Sequence, residues 1–193
     1  LPIWPEPLRS SIPVNTTVPA VTPQQAHTMV TASGCRTAKV KVAEAGQTLA
    51  DDIARVEAVR DALGPSGGLR VDANAAWDVD AARVALRELS RFDLEYAAQP
   101  VGSLEEMAEL RRFVDVRLAA DESVRTAADP VRIAGLEAAD VVVLKVQPLG
   151  GVRTCLEVAE ACGGPGGVSS AVETSIGIAA GVALAAALPE LPF

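Results

Sequence analysis

The stretch Arg70-Val71-Asp72-Ala73-Asn74 places a carboxylate and an amide at the end of a short apolar segment. Alternate residues of a strand point to the same side, so Asp72 and Asn74 share a face with Arg70. A buried carboxylate must be paired, hydrogen-bonded or bound to a metal, because burying it bare is very costly. The stretch therefore predicts a charged or metal-binding position at the end of a strand.

Five other apolar segments also end in residues that could take part in chemistry. They end at Lys39 and Lys41, at Ala98-Gln99-Pro100, at Asp121-Glu122, at Lys145 and Gln147, and at Ser169-Ser170. Carboxylates from strands two apart could share a hard cation such as Mg²⁺ (or Mn²⁺), which favours oxygen ligands. We therefore predict Asp72 and Asp121 as metal ligands, with Lys41 and Lys145 on either side of the ion.

A metal flanked by lysines suits the abstraction of a proton next to a carboxylate. The cation stabilises the negative charge that develops, and a lysine supplies the base. The only histidine, His27, falls on the first predicted helix and is expected at the surface. That expectation argues against a Ser-His-Asp triad and most zinc sites.

Apolar strand-like and helix-like segments alternate along the chain in about seven units, which predicts an α/β fold with parallel strands. The predicted strands lie at residues 12–20, 37–42, 69–74, 94–98, 116–121, 141–146 and 167–171. The predicted helices start at Pro23, Leu49, Asp78 or Asp80, Ser103, Asp129, Gly150 and Ser175. This pattern favours a TIM-type (β/α) barrel. The alternative is a doubly wound sheet, although no glycine-rich loop follows the first strand.

Composition narrows the functional classes. The 193 residues are 49% hydrophobic and 22% charged, which is a globular composition with a core of Ala, Val, Leu and Ile. The net charge of −8 and the lack of a basic cluster argue against nucleic acid and acidic membranes as partners. Three cysteines at no metal-ligand spacing favour a reducing, cytoplasmic location. The expected partner is a small-molecule carboxylate, and the oligomeric state stays open.

Six motifs at these strand ends carry a resemblance to a known family. They are Thr-Ala-Lys-Val-Lys at 37–41, Asp-Ala-Asn at 72–74, Gln-Pro at 99–100, Ala-Asp-Glu-Ser at 120–123, Leu-Lys-Val-Gln at 144–147 and Ser-Ser-Ala-Val-Glu-Thr-Ser at 169–175. Together they resemble the enolase superfamily. The muconate-lactonising subgroup fits best, in particular the actinobacterial o-succinylbenzoate synthase type.

The resemblance implies a metal-dependent dehydratase of menaquinone biosynthesis that forms o-succinylbenzoate from 2-succinyl-6-hydroxy-2,4-cyclohexadiene-1-carboxylate. By position, Lys41 would be the general base and then the acid that assists departure of hydroxide. Lys145 would stand on the opposite face, where it would stabilise the enediolate or act as the second acid/base. The other implied roles are metal binding by Asp72 and Asp121, and substrate contact or support by Lys39, Asn74, Glu122, Ser169 and Ser170.

One departure from the family pattern concerns the metal. The family carries a Glu directly before Gln-Pro as the middle ligand, and this chain has Ala98. We expect weaker metal binding and activity unless Glu122, water or another residue compensates. The family also has an N-terminal capping domain and a last strand. We therefore expect residues 1–13 to form a linker and residues 14–193 an incomplete enolase-type barrel.

Alternatives remain for the function and for single residues. The same site could serve an N-acylamino acid racemase, a dipeptide epimerase or a cycloisomerase, or the chain could be a catalytically disabled barrel fragment. Each of these residues could also have a purely structural role. Lys39 and Lys41 would then form a solvated strand face, Asp121-Glu122 would cap a helix, and Ser169-Ser170 would be turn residues.

Overall fold

The computed structural model describes residues 9–126, 129–162 and 166–193. The chain divides into two compact units, Val14–Leu118 and Ala119–Phe193, the latter joined by the described part of Leu1–Pro13. Residues 1–8 of the predicted linker lie outside the described residues. Its Arg9 donates a backbone hydrogen bond to the Ala186 carbonyl at 2.9 Å, and its guanidinium reaches the Pro189 carbonyl at 2.8 Å.

The first unit alternates parallel strands with helices. Its elements are β1 (Thr16–Val18), α1 (Pro23–Ser33), β2 (Thr37–Lys41), α2 (Leu49–Leu63), β3 (Gly68–Asp72), α3 (Val79–Leu89), a 3₁₀ turn (Ser90–Phe92), β4 (Tyr96–Ala98) and α4 (Leu104–Leu110). Each strand pairs in parallel with the next, from β1 to β4. This arrangement brings the carboxyl ends of β2, β3 and β4 to one edge.

The helices of this unit begin where the sequence predicts, because polar caps satisfy their first N–H groups. The Thr22 hydroxyl accepts from the Gln25 N–H, and the Gln25 side chain accepts from the Thr22 N–H, which makes a capping box at α1. Ser103 and Glu106 form a capping box at the start of α4. Gly34 ends α1 with a φ of 67°, a left-handed conformation that glycine adopts without strain.

The second unit continues the alternation. Its elements are β5 (Leu118–Ala120, whose first residue closes the first unit), α5 (Asp129–Leu136), β6 (Val141–Leu144), α6 (Val152–Cys162), β7 (Gly166–Val168) and α7 (Ser175–Ala187). β5 pairs in parallel with β6, and β6 with β7. All four residues of β6 are buried, as expected for a strand that helices cover on both sides.

Strand order along the sheet follows the chain from β1 to β7 without a reversal. A doubly wound sheet requires a reversal of strand order, so that alternative is wrong. Every strand is shorter than predicted, and β3, β5, β6 and β7 each stop before polar residues that the sequence pattern had included. No helix among the described residues is long and apolar enough to cross a membrane.

Candidate active-site residues

Asp72 is the last residue of β3, and its side chain is only 1% exposed. The parallel register places Lys41 of β2 beside it on one side and Ala98 of β4 beside it on the other. Ala98 is equally buried, at 1% exposure. The residue types at these three neighbouring positions therefore decide what the carboxylate contacts.

Two lysines bind the same oxygen of Asp72. Lys39 Nζ and Lys41 Nζ each lie 2.8 Å from Asp72 Oδ2, while Oδ1 accepts the Asn74 N–H at 3.1 Å. Lys41 Nζ also donates to Asn74 Oδ1. We call Lys39, Lys41, Asp72 and Asn74 the first cluster. The sequence predicted all four, and the structure brings them together.

The charge state of Asp72 follows from these contacts. Burial alone would favour its neutral form, but the charges and hydrogen bonds of Lys39 and Lys41 outweigh burial and hold the pKa of Asp72 below its ordinary value. Asp72 is therefore an ionised carboxylate at neutral pH. A buried anion with two adjacent amines can take part in both cation binding and proton transfer.

The backbone turns sharply where these strands end. Ala43, Asn74, Ala75 and Gln99 all have positive φ, between 34° and 63°, although none is glycine. The Ala75 N–H donates to the Gln99 carbonyl at 2.7 Å, and the Gln99 side chain donates to the Val101 carbonyl at 2.9 Å. Strained backbone of this kind concentrates at functional sites. The sequence interpretation placed Asn74 inside the strand and missed this turn.

The second unit holds a similar ion pair. Asp121 directly follows β5, and Lys145 directly follows β6. Lys145 Nζ lies 2.5 Å from Asp121 Oδ1, with the side chains 15% and 1% exposed. We call Asp121 and Lys145 the second cluster. A buried carboxylate again faces a lysine just beyond the end of a strand.

Other predicted residues lie in the loops of this unit. Gln147 donates from Nε2 to the Gly177 carbonyl at 3.3 Å, which ties the loop after β6 to α7. The Ser169 N–H donates to the Leu144 carbonyl at 2.9 Å, and Ser170 is exposed. Glu122 is half-buried after Asp121. Substrate contact or support by Glu122, Ser169 and Ser170 stays a prediction.

The sequence held one signal that residue-by-residue reasoning did not use. The chain has only three lysines, at positions 39, 41 and 145. All three are ion-paired with a buried aspartate at a strand end. Basic residues elsewhere in the chain are arginines, so lysine is confined to positions where an amine could exchange a proton.

Sequence reasoning missed the buried ion pair between Asp52 and Arg55, which contacts the chain at the end of β2. Arg55 and Asp52 of α2 are 1% and 2% exposed, and the Arg55 guanidinium donates to Asp52 Oδ1. Burial raises the pKa of Asp52, against the hydrogen bond from Ala43 and the charge of Arg55. Position 52 falls on the same helical face as Val56 and Val59, which was the available signal.

The donor groups match a hard divalent cation in kind but not in number. Asp72 and Asp121 offer buried carboxylate oxygens, the ligands that Mg²⁺ prefers. The Ala98 side chain, beside Asp72, has no oxygen that could bind a metal ion. Throughout the described ranges, no three His, Cys, Asp or Glu side chains come together in a group that could hold a metal ion. Each unit therefore contributes one buried carboxylate, and Ala98 adds none beside Asp72.

Curated relatives are similar over nearly the whole chain. The o-succinylbenzoate synthase of Thermobifida fusca (strain YX) is 65% identical over 190 residues, which cover 98% of this chain and 60% of that protein. The o-succinylbenzoate synthase of Mycolicibacterium smegmatis is 51% identical over 97% of this chain and 58% of that protein. The chain thus spans about three fifths of the length of these relatives.

Solved structures of epimerases share the fold. The L-Ala-D/L-Glu epimerase of Bacillus subtilis superposes with a TM-score of 0.85 at 29% identity, over 93% of this chain and 52% of that one. A dipeptide epimerase of Enterococcus faecalis V583, complexed with Mg and the dipeptide L-Leu-L-Tyr, gives 0.84 at 32% identity over the same shares.

A family model supplies the classification. The model described as enolase C-terminal domain-like matches residues 22–193, which is most of the chain. The predicted fold class, an α/β TIM-type (β/α) barrel with seven strand-helix units, is thereby confirmed. This match, with the seven parallel strands in chain order, shows that the chain belongs to the enolase C-terminal domain-like family.

Proposed function

We propose that the chain carries the reaction of an o-succinylbenzoate synthase. This lyase dehydrates 2-succinyl-6-hydroxy-2,4-cyclohexadiene-1-carboxylate to o-succinylbenzoate in menaquinone biosynthesis. The observation that carries the proposal is the 65% identity to a curated enzyme of that name, over 98% of this chain. Two buried Lys–Asp pairs at strand ends supply groups that the chemistry needs.

Lys41 is the proposed general base and acid. Lys41, whose ammonium group is paired with Asp72 in this structure, first gives one proton to water. Its amine then takes the proton next to the substrate carboxylate, and the electron pair of the broken C–H bond moves into an enediolate. The enediolate then returns to a carboxylate, its electron pair forms the new C=C bond, and the C–O bond of the leaving group breaks. The hydroxide takes the proton from Lys41 and leaves as water, which restores the amine. Lys39 remains on Asp72 Oδ2 when Lys41 turns to the substrate, so the buried carboxylate keeps a partner.

Lys145 is the proposed counter-charge for the enediolate. Its ammonium group is held 2.5 Å from Asp121 Oδ1 and is only 15% exposed, so its direction is fixed and it is poorly hydrated. Fixed charge in a water-poor setting stabilises developing charge better than a mobile ion in water does. A lysine in this role acts without gaining or losing a proton.

The proposed metal is Mg²⁺, and Asp72 and Asp121 stay the predicted ligands for it. A bound divalent cation would supply charge stabilisation for the substrate carboxylate. The support is the buried carboxylates of this chain and the Mg in the related epimerase structure. Because Ala98 offers no donor, we propose that the affinity is low. The proposal also includes a small-molecule carboxylate substrate and a cytoplasmic location.

The activity assay is direct. The purified chain is incubated with the cyclohexadiene substrate and Mg²⁺, and o-succinylbenzoate is separated and quantified. We expect slow product formation that Lys41→Arg abolishes and that Ala98→Glu accelerates. If neither the folded chain nor its folded Ala98→Glu variant forms product, the proposed function is wrong.

A second candidate is an epimerase or racemase of the same family. It is favoured by the epimerase structures, which are up to 32% identical with TM-scores near 0.85. Two lysines could then exchange a proton on opposite faces of an α-carbon. Incubation of dipeptides and N-acylamino acids in D₂O decides between the candidates, since only an epimerase or racemase incorporates deuterium into both stereoisomers.

A further inference from the structure

The Asp52–Arg55 pair contacts the backbone that carries Lys41. Arg55 Nε and Nη2 donate to the Lys41 carbonyl at 3.3 and 3.2 Å. Asp52 Oδ2 accepts the Ala43 N–H at 2.9 Å. The ion pair therefore forms hydrogen bonds with the backbone on both sides of Val42, at the end of β2.

These hydrogen bonds lie where the backbone changes direction. The Val42 N–H still donates to the Asp72 carbonyl at 3.0 Å, which extends the parallel ladder by one residue. Ala43 then adopts a φ of 60°, and the chain leaves the sheet. A left-handed alanine is unfavourable by itself, so neighbouring contacts must impose it. Asp52 and Arg55 supply such contacts directly beside Lys41.

Packing alone does not account for a buried ion pair here. Both side chains are almost fully removed from water, which costs more than an apolar pair of the same size would. Arg55 also donates hydrogen bonds to the Gln47 side chain at 2.6 Å and to the Val21 carbonyl at 3.3 Å. The guanidinium thus ties the end of β2 to the loops after β1 and before α2.

We propose that Arg55 and Asp52 are positioning residues that fix the end of β2 and thereby hold the Lys41 amine at Asp72 and Asn74. The inference rests on the proposed function for its catalytic meaning, because it assigns the pair to the reacting lysine. A shift of about 1 Å in such a group lowers a rate by up to about 100-fold. Neither residue touches the substrate in this account.

Helix α2 offers a matched control. Arg60 lies five residues after Arg55 on the same helix and likewise donates to backbone carbonyls, those of Gly64, Gly67, Phe92 and Asp93. Its contacts lie at the other end of α2 and do not include the Lys41 peptide. Arg60→Gln therefore removes a comparable set of hydrogen bonds to backbone carbonyls and leaves those at the end of β2 in place.

The test uses the three lysines as spectroscopic probes. The whole chain labelled with ¹³C,¹⁵N-lysine gives three sets of lysine side-chain NMR signals, which Lys39→Arg, Lys41→Arg and Lys145→Arg assign. We expect Arg55→Gln and Asp52→Asn to shift the Lys41 side-chain signals and leave those of Lys145 in place. Arg60→Gln should leave the Lys41 and Lys145 signals unchanged.

Asp52→Asn keeps the size of the side chain and an oxygen that can accept the Ala43 N–H, so it is the second variant of this test. Unchanged Lys41 signals in a folded Arg55→Gln or Asp52→Asn protein would overturn the positioning role. Equal Lys41 shifts in Arg60→Gln would overturn it too.

Kinetics separate this inference from the proposed function. With the cyclohexadiene substrate, we expect Arg55→Gln to lower kcat about tenfold or more and to change KM less than about twofold. An inactive parent chain with shifted Lys41 signals would support the positioning role and count against the dehydratase. An active parent whose kcat survives Arg55→Gln would support the dehydratase and count against the positioning role.

Discussion

Lys41 and Asp72 are register partners on neighbouring strands, and their side chains close the contact with Nζ 2.8 Å from Oδ2. The backbone pairing places the two side chains within reach of each other, and their rotamers then bring the amine to the carboxylate. Asn74 adds a second acceptor for the same amine. A lysine held in this way is oriented from two sides, as acid/base catalysis requires.

Replacement of Lys41 by arginine tests its proposed proton transfer. Arginine keeps the positive charge and the ion pair with Asp72, but it does not lose its proton. We expect the rate of o-succinylbenzoate formation to fall by about 100-fold to 10,000-fold with the fold retained. Lys39→Arg, which alters the neighbouring amine, should cost less than tenfold. Equal losses in both variants would contradict the assignment of Lys41 as the reacting base.

Acid titration tests the charge of Asp72. Its folded-state pKa lies below the ordinary value, so its stabilising effect is present above about pH 3.9 and is lost as pH falls through the folded-state pKa. Asp72→Asn leaves two lysines without their carboxylate and should lower the free energy of unfolding by about 3 kcal/mol at pH 7. The difference from the parent chain should shrink below about pH 3.9.

Chemical denaturation at several pH values measures this difference. Asp80→Asn is the control, because Asp80 is 93% exposed and pairs loosely with Arg83 at 3.5 Å. A loss of stability with Asp72→Asn no greater than with Asp80→Asn would contradict the buried ion pair.

The buried thiol of Cys155 should make the folded chain less stable at alkaline pH. It is fully buried in α6, and burial raises the pKa of its thiol from 9.0 to about 11. The thiol of the unfolded chain ionises first as pH rises, so stability should fall between pH 9 and about 11, by up to about 3 kcal/mol. Cys155→Val removes the ionisable group at similar volume.

The measurement is the stability difference between the parent chain and Cys155→Val across this pH range. Subtraction removes the shared effect of other groups that titrate in alkali. A difference that stays constant from pH 8 to 11 would show that the thiol is not protected by burial.

Helix bounds could be predicted from the sequence because local contacts fix them. The starts of α1 and α2 agree with prediction, since Thr22 and Thr48 cap them, and glycines follow the ends of both helices. Strand ends could not be predicted as well. Asn74 continues the alternating pattern of β3, yet the chain turns before it with a positive φ that tertiary contacts impose.

Some residues of the candidate site could likewise be predicted from the sequence, and others could not. Shared strand parity predicted that Lys39 and Lys41 face one side, and the structure has both on Asp72. Asp52 and Arg55 were missed because charged residues spaced three apart on a helix normally form a solvent-exposed pair. Only the tertiary contacts with the end of β2 and with the loop after β1 reveal why that pair is buried.

The most direct test of the metal site exploits the register of Asp72 and Ala98. Calorimetric titration with Mg²⁺ compares the parent chain with Ala98→Glu, which adds a carboxylate beside Asp72, and with Ala98→Gln, which adds the same bulk without charge. We predict that Ala98→Glu binds Mg²⁺ at least about tenfold more tightly than either of the others. Equal affinity in all three folded proteins would contradict a metal site at this strand edge.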